Sequence, residues 1–302
     1  MSFNQSVIEE FRARGGKVGG PFEGGALLLL TTTGARSGKE HTTPLGYVRH
    51  DGRLLVVGSA GGADRHPAWY HNLLAHPMVR VEVGTDEYHA IAVPAEGERR
   101  DRLFAEVVRV APGYADYQER TSRTIPVVVL ERSGPDAADL PEAIADFGAK
   151  LLEIHAWLRA QLRAVRAEAA AYFADRADRE DRADRVDRSV PGLGLRIRQH
   201  CLAFCESLEF HHTSEDAGMF PMLEQHHPGL RAAIDRMREE HVTVNRIKGE
   251  LLGLLGGVRD ADPDRFLAEL DRMTDELTAH LDHEETVLLP VLARMPFPPL
   301  AR

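Results

Sequence analysis

The chain has 302 residues, a formal net charge of −10, an isoelectric point near 5.8 and 43% hydrophobic residues. That length suggests two domains, and the acidic balance argues against nucleic acid as a partner. No apolar run follows a basic start, so no secretory signal is expected. The longest apolar run, Ala26 to Leu30, is far too short to span a bilayer, so a cytoplasmic location without transmembrane segments is expected.

The first part of the chain is rich in strands and turns. Strands are predicted at 26–33, 41–50, 53–59, 78–83, 87–94 and 125–131, with a turn at Gly34–Gly38. Several are β-branched and separated by glycine-containing turns, such as His50-Asp51-Gly52 and Gly84-Thr85-Asp86. Six short, mostly antiparallel strands at this spacing favour a barrel over an open doubly wound sheet. The stretch from His66 to His76 is predicted as a short helix with Pro67 in its first turn.

Chemistry in this part is subtle. There is no nucleophile elbow, no phosphate loop of the Walker type and no G-x-G-x-x-G opening a helix. What remains is a turn with Arg36 and Ser37, the loop Ser59-Ala60-Gly61-Gly62, then Trp69 and Asn72. Glycines at 61 and 62 would let backbone N–H groups approach an anion, and Arg36 could grip a phosphate through two hydrogen bonds. Trp69 could pack a flat ring or fill the core. On the residues alone, turn glycines plus a core tryptophan is the stronger reading.

The chain divides near residue 133. Ser133 to Ala143, rich in Gly, Pro and Asp, reads as a joint, with Pro141 close to a helix start. The expected organisation is a domain at 1–133, a linker at 134–142 and a helical domain at 143–302. Ala174 to Arg188 alternates Ala, Asp and Arg with almost nothing apolar. It reads as the solvated end of a first bundle helix, followed by a mobile loop ending at Ser189–Gly194. Cys201 and Cys205 lie four apart on one predicted helix and read as small buried side chains, not a disulfide.

The most informative feature is a thirteen-residue pattern that occurs twice, HHTSEDAGMFPML from His211 and HLDHEETVLLPVL from His280. Each copy has His and then Glu four positions on, His211 with Glu215 and His280 with Glu284, followed by a second acid, Asp216 or Glu285. On a helix such a pair shares one face and forms one wall of a metal site. Taken alone, each pair is more often a surface contact. Duplication changes the balance, and two further histidines, His155 and His241, sit in other apolar-periodic stretches. Four predicted helices then carry ligands in the order His, His-x3-Glu, His, His-x3-Glu, an up-down four-helix bundle with a central dinuclear site. Nitrogen and oxygen ligands without thiolate suit iron or manganese, and iron is favoured because two His and one carboxylate per metal leave open positions. Pro221 and Pro290 are expected to end their helices.

At these residues two resemblances emerge. Residues of about 143–295 resemble a hemerythrin-like, HHE-type cation-binding domain. The resemblance implies two non-haem irons held by His155, His211, Glu215, His241, His280 and Glu284, with Glu215 and Glu284 bridging. Oxygen carriers of that family place a second His one turn after the first ligand of the third helix; here that position is Asn245. One lost nitrogen ligand makes sensing, or reduction of oxygen, peroxide or nitric oxide, the expectation instead of reversible carriage.

The segments TTTGARSGKEHTTPLGYV, GSAGGADRHPAWYHNLLAHPMVRVEVG and RTIPVVVLE are similar to the deazaflavin-dependent nitroreductase and quinone-reductase family, over about residues 5–132. That resemblance implies a split β-barrel and the reduced deazaflavin coenzyme F420, whose tail carries a phosphate and glutamates; flavin mononucleotide (FMN) is the alternative cofactor. By matching position, Arg36, Ser37, Ser59, Gly61, Gly62, Trp69 and Asn72 would line the cofactor groove. Tyr114 and Tyr117 would stand on the substrate side as catalytic residues, facing a quinone or nitro compound. Ala35, His41 and Ala60 stand where other members carry basic residues, which implies a weaker grip on the anionic tail. The combined expectation is an α+β, two-domain oxidoreductase that pairs a deazaflavin-dependent reductase with a di-iron bundle, a homodimer being compatible with it. The alternative is a di-iron oxygen or nitric oxide sensor, or an iron-binding protein, whose barrel is regulatory or inactive.

Overall fold

The computed structural model describes residues 3–133, 146–181, 194–258 and 260–296. After helix α1 (Phe3–Ala13) come β1 (Leu27–Thr33), β2 (Glu40–His50), β3 (Arg53–Val57), α2 (Ala68–Ala75), β4 (Met78–Val83), β5 (Asp86–Pro94), α3 (Gly97–Val110), α4 (Gly113–Glu119) and β6 (Val127–Arg132). The six strands close into an antiparallel barrel in the order β1-β2-β3-β6-β5-β4, with β4 pairing back onto β1. All six predicted strands are present, with ends shifted by a few residues at most.

Alternation along each strand divides its side chains between two cores. Leu28, Leu30, Leu54, Val56, Val79, Val81, Val128 and Leu130 form the inner cluster, into which α2 packs Trp69 and Leu73. The alternate residues face outward and are also buried. Leu27 and Leu29 pack under Val7, Ile8 and Phe11 of α1, while Leu55, Val57, Val127 and Val129 pack against Val107 of α3 and Tyr114 and Tyr117 of α4. Burial on both faces explains why the strands read as nearly continuous apolar runs. Each such Leu or Val contributes about 1.5–3 kcal/mol by leaving water.

The helical part comprises α5 (Phe147–Asp181), α6 (Gly194–Ser214), α7 (Phe220–His226), α8 (Arg231–Gly256) and α9 (Pro263–Leu292). Leu151, Phe220, Leu223, Ile234, Met237, Leu288 and Leu292 form one apolar cluster. In α5 and α8 its members precede His155 and His241; beyond α6 and in α9 they follow His211 and His280. Successive long helices therefore run in opposite directions, as an up-down bundle requires. Asp262 caps α9 by accepting a hydrogen bond from the Arg265 N–H at 2.8 Å.

Two expectations about proline are corrected. The helix does not stop at Pro221: a π-helical turn, Glu215–Met219, joins α6 to α7 without a break. The wider turn leaves room where the proline ring would otherwise crowd the carbonyl four residues back. Pro290 lies inside α9, which runs on to Leu292. So close to the end, it costs one backbone hydrogen bond and does not end the helix.

The chain forms two compact units, Met1–Gly134 with Arg179–Ala203, and Pro135–Asp178 with Phe204–Arg302. In the first unit Gln199 of α6 is fully buried and donates to the carbonyls of Leu73 at 2.7 Å and Ala92 at 3.1 Å. Cys201 and Cys205 are buried free thiols. The expected linker at 134–142, the helix start at Pro141 and the expected loop through 182–193 lie outside the described residues. No helix among the described residues is long and apolar enough to cross a membrane.

Candidate functional site

Four helices bring five imidazoles and two carboxylates to one buried point. His155, His211, His212, Glu215, His241, His280 and Glu284 are each at most 6% exposed. Glu284 lies at the middle. Its Oε2 is 3.1 Å from His155 Nε2 and 3.5 Å from His211 Nε2, while its Oε1 is 3.0 Å from His241 Nε2 and 2.9 Å from His280 Nε2. Glu215 repeats this division, with Oε1 3.5 Å from His211 Nε2 and Oε2 3.5 Å from His241 Nε2. Each carboxylate thus faces two groups of imidazoles at once.

The outer nitrogens settle what the inner ones can do. His155 Nδ1 lies 2.9 Å from Glu285, His241 Nδ1 3.1 Å from Asp216, and His280 Nδ1 3.1 Å from Glu240. A carboxylate there holds the proton on Nδ1 and leaves Nε2 with its lone pair directed inward. Yet His155 Nε2 lies 3.0 Å from His211 Nε2, and His280 Nε2 lies 3.2 Å from His212 Nε2. Both oxygens of Glu215 and Oε2 of Glu284 are buried without a hydrogen bond. Lone pairs and unsatisfied carboxylates packed this way repel one another, and burying them unpaired is costly.

A bound cation would relieve the repulsion, and the all-nitrogen-and-oxygen donor set suits iron or manganese. Without a metal, protons take over part of this role. Burial pushes His241 down, but Glu215, Glu284 and Asp216 outweigh it and raise the imidazole to about 10. Burial likewise pushes Glu284 up, but the four surrounding imidazoles hold it well below the usual carboxylate range. Burial raises Glu215, with the nearby Glu284 adding to the effect. Burial, with His241 beside it, pushes His212 down to about 2, so this ring stays neutral and able to ligate.

The structure brings together all six residues expected at the centre and adds a seventh, His212. Its ring stacks on His241 with centroids 4.0 Å apart, and Phe220 stacks nearby at 5.5 Å from His241. Asn245, by contrast, is exposed. His212, on the neighbouring helix, sets an imidazole beside the cluster where Asn245 offers none. The signal was the His211-His212 doublet: adjacent residues lie about 100° apart on a helix, so both can reach an inward face wide enough to hold Glu215 between them.

The barrel residues fall into two neighbourhoods. In the first, Asn72 accepts from the Ala35 N–H at 3.1 Å and donates to Thr32 at 3.1 Å, fixing the turn that carries the exposed Arg36. Ser37 Oγ accepts from the Lys39 N–H in the same turn. In the second, Ala60, Gly61 and Gly62 all have positive φ, at 48°, 66° and 85°. A Cβ on Gly62 would meet the Tyr117 carbonyl at 3.1 Å, so only glycine lets this loop lie so close to α4. Tyr114 and Tyr117 meet edge to face at 5.9 Å, and burial raises the Tyr114 hydroxyl. Trp69 is 5% exposed in the barrel core. No hydrogen bond among the described residues joins the Arg36 turn to the Ser59–Gly62 loop.

Comparison with known proteins places both halves. Residues 4–132 match the model of the F420H(2)-dependent quinone reductase family, and residues 146–292 match that of the hemerythrin HHE cation binding domain. F420H(2)-dependent quinone reductases from two strains of Mycobacterium tuberculosis, H37Rv and CDC 1551, are each 43% identical over 126 residues, 40% of this chain and 85% of the relative. A solved F420-H2 dependent reductase, FDR-A, is 41% identical with a TM-score of 0.33, covering 35% of this chain and 94% of that one. The chain belongs to the F420H(2)-dependent quinone reductase family, a class of deazaflavin-dependent oxidoreductases, and carries in addition a hemerythrin HHE cation-binding domain.

Proposed function

We propose that this chain is a two-domain oxidoreductase whose barrel passes a hydride from reduced F420 to a quinone-like acceptor, and whose bundle holds a non-haem di-iron centre for oxygen, peroxide or nitric oxide. The observation that carries the metal reading is Glu284, buried and touching imidazoles from four helix segments with both of its oxygens. One iron would be held by His155 and His211, the other by His212, His241 and His280, with Glu215 and Glu284 shared. Bound iron supplies one-electron redox chemistry and open positions for a small ligand. The protein contributes the rest: Glu285, Asp216 and Glu240 keep the Nδ1 protons in place, and an apolar layer at one end keeps bulk water out.

In the barrel, transfer of a hydride and a proton would reduce a quinone to the hydroquinone and leave oxidised F420. Arg36 and the Ser59–Gly62 loop would face the anionic tail, and Tyr114 and Tyr117 would flank the acceptor. The test is a spectrophotometric assay of the full chain with reduced F420 and a soluble naphthoquinone. Quinone-dependent return of the oxidised deazaflavin absorbance is expected. Failure to oxidise F420 with any quinone or nitro acceptor, in protein that binds the coenzyme, would remove the reductase reading.

A further inference from the structure

The Ser59–Gly62 loop is held by one side chain that no motif points to. Arg123, between α4 and β6, donates from Nη2 to the carbonyls of Gly58 at 2.9 Å and Ser59 at 2.7 Å, and from Nε to that of Ala63 at 2.8 Å. Its remaining nitrogen lies 3.0 Å from His66 Nδ1. The backbone of Arg123 is itself fixed: Gln118 donates to the Arg123 carbonyl at 2.8 Å, and Gln118 in turn accepts from the buried Arg100 at 2.8 Å. Thr121 ties Asp64 into the same frame at 3.0 Å.

These contacts have a directional consequence. In a trans peptide the carbonyl and the following N–H point opposite ways, and the chain contains no cis bond. With the Gly58 and Ser59 carbonyls turned onto Arg123, the N–H groups of Ser59 and Ala60 are turned away from it. Neither donates to an acceptor among the described residues. Ala60 keeps a left-handed φ of 48°, which a non-glycine residue holds only when its surroundings impose it.

We propose that Arg123 is a positioning residue for F420: it never touches the coenzyme, but it turns the Ser59 and Ala60 N–H groups outward as paired donors for the anionic tail. A guanidinium suits this because its rigid fork reaches several carbonyls at once, which an ammonium cannot. The proposal rests on the reading of the barrel as an F420 site.

The test is calorimetric titration of the full chain, as parent, Arg123→Ala and Arg123→Lys, with F420 and with a tailless deazaflavin fragment. Arg123→Ala is expected to bind F420 about tenfold or more weakly while holding the fragment within about twofold, since only the tail needs the oriented donors. Added guanidinium at millimolar concentration should restore part of the loss. Arg123→Lys, which keeps the charge and is the milder change to the fold, should fall between the two. F420 affinity equal to the parent in either variant overturns the proposal, as does equal loss of coenzyme and fragment, which marks a purely structural role. If the parent binds neither ligand, the cofactor reading itself has failed and this inference goes with it.

Discussion

Oε1 of Glu285 lies 2.9 Å from Nδ1 of His155, a residue 130 positions earlier in the chain. The contact has a counterpart: Asp216 stands 3.1 Å from Nδ1 of His241. The second acid of each repeated motif therefore serves the lone histidine of another helix, and the repeat in the sequence becomes a twofold relation in the bundle. Arg159 donates to the same Glu285 oxygen at 2.6 Å.

These acids should matter for metal affinity although they hold no metal. Partners of this kind fix the tautomer and raise ligand basicity, and their loss costs about 10–100-fold in affinity. Glu285→Ala and Asp216→Ala should each show a drop of that order in a chelator competition. Unchanged affinity in both would reduce these acids to surface charges.

His212 and Asn245 make a direct pair of opposites. His212→Ala should weaken or empty one of the two metal positions, because its neutral ring faces the cluster. Asn245→Ala should leave metal content unchanged, because that side chain is exposed. Elemental analysis of both variants decides the matter; loss of metal on changing Asn245 alone would show that the third helix supplies the missing ligand after all.

Much of this was legible in the chain, and what was not has physical causes. The strands were readable because β-branched runs such as 125–131 end at glycines or prolines. Their order was not, since β3 pairs with β6 across some seventy residues and no local pattern encodes such a pairing. Four of the clustered residues were readable because i,i+4 spacing repeats, and His155 and His241 because each sits in an apolar-periodic stretch. His212 escaped because it belongs to neither His-x3-Glu pair, and only the width of the inward face admits it. Arg123 escaped because its role lies in the carbonyls it gathers, which leave no trace in residue type. Pro221 misled because a π turn is invisible in sequence and changes what proline does.

Acid should weaken the barrel unit through Glu131. Burial pushes this carboxyl up, but the His200 imidazole 3.2 Å away and the charge of Arg196 outweigh it and bring it down to about 2. A depressed folded value means that the contribution is complete above the unfolded pKa, near 4.5, and disappears as the pH falls toward 2. Glu131→Gln should therefore cost about 1–3 kcal/mol at neutral pH, with the gap from the parent closing in denaturant titrations run at successively lower pH. A gap that stays constant down to pH 2 would deny the ion cluster this role.

Trp69 is expected to act as core. Trp69→Ala should destabilise the protein by about 3–5 kcal/mol, the range for removing a large buried aromatic side chain, as read by denaturant unfolding. A variant of near-parental stability that has lost only F420 affinity would put the indole in the groove instead.

Glu215 and Glu284 would join two irons inside one ring of imidazoles. Anaerobic titration of metal-free protein with ferrous iron tests it most directly. An endpoint at two irons per chain is expected, falling to one or fewer in Glu284→Ala, whose substitution removes the oxygens facing both groups of histidines. An endpoint at one iron in the parent, or an endpoint of two that survives the loss of Glu284, would contradict it.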